Sequence, residues 1–123
     1  MTVDTQTPIE KLVRAFAAKD LSQALDCFTE DALFFDPHYP QPQMQGKVAI
    51  QEGFQFAFGI LKQPGFTVRH LWTADNSGAL EVDTNHVFQD GSEAHFPQVF
   101  VFETRDNLLT RLQAYVPYPP PAA

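Results

Sequence analysis

Apolar residues along this chain change their spacing near residue 64. Before that point they recur at helical intervals. Ile9, Leu12, Val13 and Phe16 form one stripe, and Leu21, Ala24, Leu25 and Phe28 a second. Ile50, Phe54, Ala57, Phe58 and Leu61 form a third. Start signals agree with these stripes. Thr7-Pro8-Ile9-Glu10 reads as a capping box with proline in the first turn, Asp20 with Gln23 repeats the pattern, and Gly46 precedes the third helix, over 47–61. Gly53 and Gly59 inside that helix cost about 1 kcal/mol each relative to alanine, so close packing is expected to offset them. A short strand is expected over 32–36, with Phe34 and Asp36 on one face, followed by a rigid loop carrying Pro37, Pro40 and Pro42.

After Pro64-Gly65 the pattern becomes that of strands. They are expected over 66–73, 79–89, 92–103 and 108–118, with turns at Asn76-Ser77-Gly78, Asp90-Gly91 and Asp106-Asn107. Three helices and a short strand followed by a four-stranded antiparallel meander make an α+β fold, with helices packed on an antiparallel sheet. Two-residue turns at Asp90-Gly91 and Asp106-Asn107 set Asp83 opposite Gln98, Gln98 opposite Tyr115, and His86 opposite His95. One face then carries Asp83, Asn85, Phe96, Gln98, Phe100, Phe102, Arg111, Gln113 and Tyr115, and reads as a pocket wall under the helices. The other carries Leu80, Val82, Val99, Val101, Leu112, Ala114 and Val116, and needs a cover that a homodimer would provide.

Composition narrows the partners. The chain of 123 residues is one domain's worth, with a folded core expected over 4–118 and a flexible proline-rich tail over 119–123. A net charge of −7 with no basic run argues against nucleic acid and anionic membrane surfaces. No apolar run reaches the ~20 residues of a membrane span, and the N-terminus lacks the regions of a signal peptide. One cysteine, Cys27, has no internal disulfide partner. These features predict a cytoplasmic protein whose partners are neutral molecules, cations or a second copy of itself. Two histidines opposite one another make a weak metal site without a third ligand, so no metal is expected. No phosphate loop, Gly-x-Ser-x-Gly or Cys-x-x-Cys is present, and no cofactor is expected.

The stretch AKDLSQALDCFTEDALFFDP, followed by QPQMQGKVAIQEGF, resembles the ketosteroid isomerase and SnoaL-like branch of the nuclear-transport-factor-2-like superfamily. Asp20-Leu21, Phe28, Asp31-Ala32, Asp36-Pro37, Gly46, Ala49-Ile50 and Phe54 carry the similarity. The resemblance implies a single SnoaL-like domain: a cone of curved sheet around three N-terminal helices, with an apolar pocket at its open end. It implies that Asp36 is the base that moves a proton beside a ketone, a pattern for which ketosteroid isomerase is the standard worked example. The tyrosine and aspartic acid that hold the enolate in that family fall here on Leu12 and Gln98.

Three readings follow. The first is a cofactor-independent enzyme, isomerase-like or cyclase-like, in which Asp36 abstracts a proton α to a carbonyl. Gln98 and Tyr115 hold the enolate, and Phe34, His38, Phe54, Phe58, Trp72, Asp83, Phe100, Arg111 and Gln113 line the substrate pocket. A carboxylate at a strand end among phenylalanines is costly to keep charged, the setting from which a general base is made. The second is a non-catalytic pocket for a small hydrophobic ligand. The third is a protein-interaction module. For Asp36 the plain alternative is a turn aspartate before proline, and for Gln98 a cross-strand hydrogen bond.

Overall fold

The computed structural model describes residues 7–117. The expected tail over 119–123, and the ends of the expected 4–118 core, lie outside them. Helix α1 (Pro8–Ala17) starts from Thr7, whose side chain accepts from the Glu10 backbone while Glu10 reaches back to the Thr7 N–H. A cap of this kind contributes about 1 kcal/mol. Helix α2 (Leu21–Leu25) starts from Asp20, which accepts from the Gln23 N–H at 3.1 Å. Helix α3 (Lys47–Ile60) follows Gly46.

The strands are β1 (Phe28–Phe35), β2 (Gln43–Gln45), β3 (Leu61–Gln63), β4 (Phe66–Ala74), β5 (Ser77–Phe88), β6 (Glu93–Arg105) and β7 (Leu108–Tyr115). They form one sheet in the order β2-β1-β7-β6-β5-β3, with β4 also paired to β5. The meander β4-β5-β6-β7 is antiparallel as expected, but β1 joins β7 in parallel, so the sheet is mixed. Strand β1 is also longer than the sequence predicts, β2 lies in the predicted proline loop, and β3 begins at the last residue of the predicted third helix.

Both hairpins depart from the expected register. At the β5–β6 turn the loop has three residues. The Phe88 N–H donates to the Ser92 carbonyl at 2.8 Å, Gly91 takes φ +89°, and the Asp90 carboxylate accepts from the Ser92 N–H and hydroxyl. This is a type I turn closed by a left-handed glycine, which adds one residue relative to a two-residue turn. Gln98 therefore pairs with Val82, and His95 with Asn85. The β6–β7 turn does have two residues, Asp106 and Asn107, with φ of 54° and 62°, and Arg105 faces Leu108. A bulge then absorbs Thr110, so Glu103 faces Arg111 and Val99 faces Tyr115.

A one-residue slip exchanges faces. The inner face carries Leu80, Val82, Thr84 and His86 on β5, with Phe96, Gln98, Phe100 and Phe102 on β6 and Leu112 and Ala114 on β7. Most of these residues are buried. Asp83, Arg111, Gln113 and Tyr115 stand on the outer face beside Val99, Val101 and Glu103. Arg69 pairs there with Asp83 at 2.9 Å, and Arg111 with Glu103 at 3.3 Å. That face mixes charge with apolar groups, so the expected wholly aliphatic face, and the need for a cover inferred from it, is corrected.

Phenylalanines fill the space between helices and sheet. Phe54 lies within ring-packing distance of Phe16, Phe28, Phe34 and Phe58, with centroids 5.7–6.1 Å apart. Packing accounts for one of the two helical glycines. A Cβ on Gly53 would meet Met44 Sδ at 2.5 Å and the Tyr39 ring at 3.1 Å, whereas nothing lies within 4 Å of one on Gly59. Gly59→Ala is therefore expected to stabilise the protein by up to about 1 kcal/mol, and Gly53→Ala to destabilise it. Urea unfolding of the two variants checks this, and equal shifts of the same sign would contradict it.

Candidate functional site

A cavity of about 470 Å³ lies between the helices and the inner face of the sheet. Helix α1 contributes Ile9, Leu12, Val13 and Phe16, and α3 contributes Phe54, Phe56, Ala57 and Ile60. Strand β1 and the turn after it supply Phe34, Asp36, His38 and Tyr39, and the sheet supplies His86, Phe96, Gln98, Phe100 and Leu112. The volume suits a small organic molecule, and the wall is mostly aromatic and aliphatic with few polar groups.

Asp36 is placed by the end of β1. Its N–H donates to the Pro42 carbonyl at 2.9 Å, and its carbonyl accepts from the Tyr39 N–H at 3.2 Å. The side chain closes an Asx turn, in which Oδ1 accepts from the His38 N–H at 2.9 Å and from His38 Nδ1 at 2.7 Å. Asp36 is only 5% exposed, and Oδ2 takes no hydrogen bond among the described residues. One carboxylate oxygen is thus anchored, and the other is unpartnered on a residue that lines the cavity. The His38 ring lies 5.0 Å from that of Phe96, which fixes it against the sheet.

Gln98 is 4% exposed. Its Nε2 donates to Thr84 Oγ1 at 2.7 Å, and its Oε1 is a buried polar atom without a partner among the described residues. The Thr84 hydroxyl can donate as well as accept. A flipped Gln98 amide would keep that bond and expose an N–H₂ donor instead of a carbonyl oxygen.

His86 faces inward next to Thr84 on β5, with its ring 5.1 Å from Phe66 and 6.1 Å from Phe16. Its Nδ1 accepts from the Gly65 N–H at 3.1 Å, which leaves the ring proton on Nε2. Burial pushes its pKa down to about 4, with the His38 charge acting the same way and the Asp36 charge opposing. Tyr39 is held a neutral phenol, well above the usual range, by burial and then by the Asp36 charge.

The site residues expected from sequence divide into three groups. Phe34, Asp36, His38, Phe54, Gln98 and Phe100 line one cavity, and Leu12 lines it from α1. Phe58 is half-buried and packs behind that wall on Phe54 and Phe16. Trp72 and Tyr115 are each about half exposed, and with Asp83, Arg111 and Gln113 they stand outside the cavity. Tyr115 does not meet Gln98, because the bulge at Thr110 shifts β7 by one residue against β6 and sets Tyr115 opposite Val99. The slip also hid His86 and Thr84, whose apolar neighbours Val82 and Val87 gave no signal beyond strand alternation. Among the described residues no three His, Cys, Asp or Glu side chains converge as metal ligands, and no helix is long and apolar enough to cross a membrane.

The depressed pKa of His86 has a sign. The folded state keeps the ring neutral while the unfolded chain takes up a proton near pH 6.5, so acid favours unfolding through this group. Its contribution to stability is present above about pH 6.5 and is lost as pH falls toward about 4. His86→Phe is expected to flatten the stability profile across that window. Chemical unfolding at stepped pH tests this, and an unchanged slope would contradict it.

The SnoaL-like domain family matches residues 9–112. No curated protein matches the sequence. The Δ5-3-ketosteroid isomerase of a Mycobacterium species superposes with a TM-score of 0.78 at 20% identity, over 89% of this chain and 93% of the isomerase. A protein with a ketosteroid isomerase-like fold from Catenulispora acidiphila, solved with trimethylamine, gives 0.80 at 16% identity, over 96% of this chain and 88% of its own. A Mycobacterium tuberculosis protein solved with estradiol-17β-hemisuccinate gives 0.77 at 17%, over 89% and 94%. Likeness at these identities establishes the fold, a curved open mixed sheet with helices packed on it. The chain belongs to the SnoaL-like domain family.

Proposed function

We propose that this protein binds a small, largely apolar carbonyl compound in its cavity and moves a proton at the carbon α to the carbonyl, with no cofactor. The observation that carries this is the Asp36 carboxylate, 5% exposed on the cavity wall and tied through Oδ1 alone. A base needs an oxygen free to take the proton and a fixed orientation from which to reach it. As the α C–H bond breaks, its proton goes to Asp36 and its electron pair passes to the carbonyl oxygen. Return of the proton to a different carbon is isomerisation, and attack of the enolate on a second carbonyl is cyclisation. His38 holds Asp36 in place throughout. Tyr115, on the outer face, has no part in this. Gln98 reaches the enolate only with its amide flipped. The estradiol derivative bound by the Mycobacterium tuberculosis protein supports an apolar ligand of this general kind.

A second reading is a non-catalytic carrier. Leu12 at the family's tyrosine position, and a Gln98 whose unpartnered atom is an acceptor, both favour it. The site is built within one chain, so either reading holds whether or not two copies pair through the outer face to form a homodimer.

Deuterium exchange at the α-carbon of 2-tetralone, followed by NMR in D₂O, separates the two. The wild-type protein is expected to accelerate exchange, and Asp36→Asn to lose about 10²–10⁴-fold of that rate while its circular dichroism is unchanged. Ketone binding without exchange, indifferent to Asp36, would establish the carrier.

A further inference from the structure

We infer that His86, as a neutral imidazole, supplies the hydrogen bond that polarises the ligand's carbonyl oxygen. The inference rests on the proposed proton abstraction for its catalytic consequence, though the contact itself would serve a bound ligand equally.

Three observations lead to it. First, the ring's tautomer is fixed by the backbone. A main-chain N–H can only donate, so the 3.1 Å bond from Gly65 to Nδ1 requires a lone pair there and a proton on Nε2. Gly65 is seated for this, since it also accepts from the Asn85 N–H at 2.8 Å and lies so close to β5 that a Cβ would come within 2.5 Å of the Asn85 carbonyl oxygen. Second, His86 lines the cavity, and its Nε2 has no partner among the described residues. Third, the base stands on the same cavity. The Asp36–His38 pair reaches the sheet where His38 packs on Phe96, which faces Thr84, two residues before His86 on the same strand.

The chemistry fits a donor that keeps its proton. A neutral imidazole polarises a carbonyl without competing for the proton that the base removes. His86 stays neutral over the range in which proteins operate, because burial and the His38 charge oppose its protonation. When the α C–H bond breaks, the proton goes to Asp36 and the electron pair to oxygen. The Nε2–H holds that oxygen and is not transferred. The position lies on β5, neither at the α1 site of Leu12 nor at the β6 site of Gln98. The preferred ligand is therefore an apolar ring system with one carbonyl or enol oxygen directed at β5.

The test uses naphthalene and 2-naphthol, which differ by that oxygen, titrated by fluorescence against wild-type protein and His86→Phe. At least a tenfold loss of 2-naphthol affinity in the variant, with naphthalene affinity within twofold of wild type, supports the inference. Equal losses for both probes, or none for 2-naphthol, overturn it. A wild-type protein that binds neither probe overturns the cavity reading and this inference together. A selective 2-naphthol loss with no tetralone exchange removes the catalytic reading and leaves the donor in place. Should His86→Phe fail to fold, ¹⁵N NMR of the wild-type ring decides. A protonated Nε2 whose proton moves downfield on 2-naphthol addition supports the assignment, and a protonated Nδ1 or an unmoved proton overturns it.

Discussion

An acid stays on the wall of an apolar hollow only if something answers its charge, and here that is the turn from Asp36 to His38. An unpaired carboxylate in such surroundings costs several kcal/mol. The Asx turn offsets this with two donors on Oδ1, at 2.9 and 2.7 Å, both from one residue two positions along the chain. The turn has little freedom to open. Strand β1 is held between β2 and β7, and the Asp36 N–H is bonded to Pro42 across the proline loop. The loop also sets Tyr39 against Phe34 and Gly53, so the same turn supplies part of the cavity wall. Anchoring one carboxylate oxygen while leaving the other unpartnered is what separates a site from a structural aspartate.

Much of this was legible in the sequence because it is local. Capping at Thr7 and Asp20, the helical stripes, the Asp-Pro turn and the shared face of Phe34 and Asp36 depend on residues a few positions apart. The features that were not legible are set at longer range. Strands β2 and β3 have three residues each and exist because a neighbour offers them an edge. Strand β1 pairs in parallel with β7, more than seventy positions away, and nothing in its own residues names that partner.

The sheet register is the instructive case. Asp-Gly flanked by apolar alternation signals a hairpin but does not decide between a two-residue and a three-residue loop. Ser92, bonded twice to the Asp90 carboxylate, and a left-handed Gly91 decide for three. At the next hairpin the turn itself followed expectation, and a bulge at Thr110 moved the strand afterwards. Strand β6 kept its expected inner residues, Phe96, Gln98, Phe100 and Phe102, while both partners slid by one. Tyr115, Arg111, Gln113 and Asp83 left the pocket, His86 and Leu112 entered it, and Thr84 came to the inner face behind Gln98. Local chemistry thus located the acid, and long-range pairing determined what faces it.

The central claim is that Asp36 borders an enclosed space able to hold a guest. A crystal structure of the protein grown with 2-naphthol tests it most directly. The account predicts ring density in the hollow between Phe34, Phe54 and Phe100, with Asp36 Oδ1 still bonded to His38. A hollow filled by its own side chains, or an Asp36 carboxylate turned out to bulk water, would contradict it.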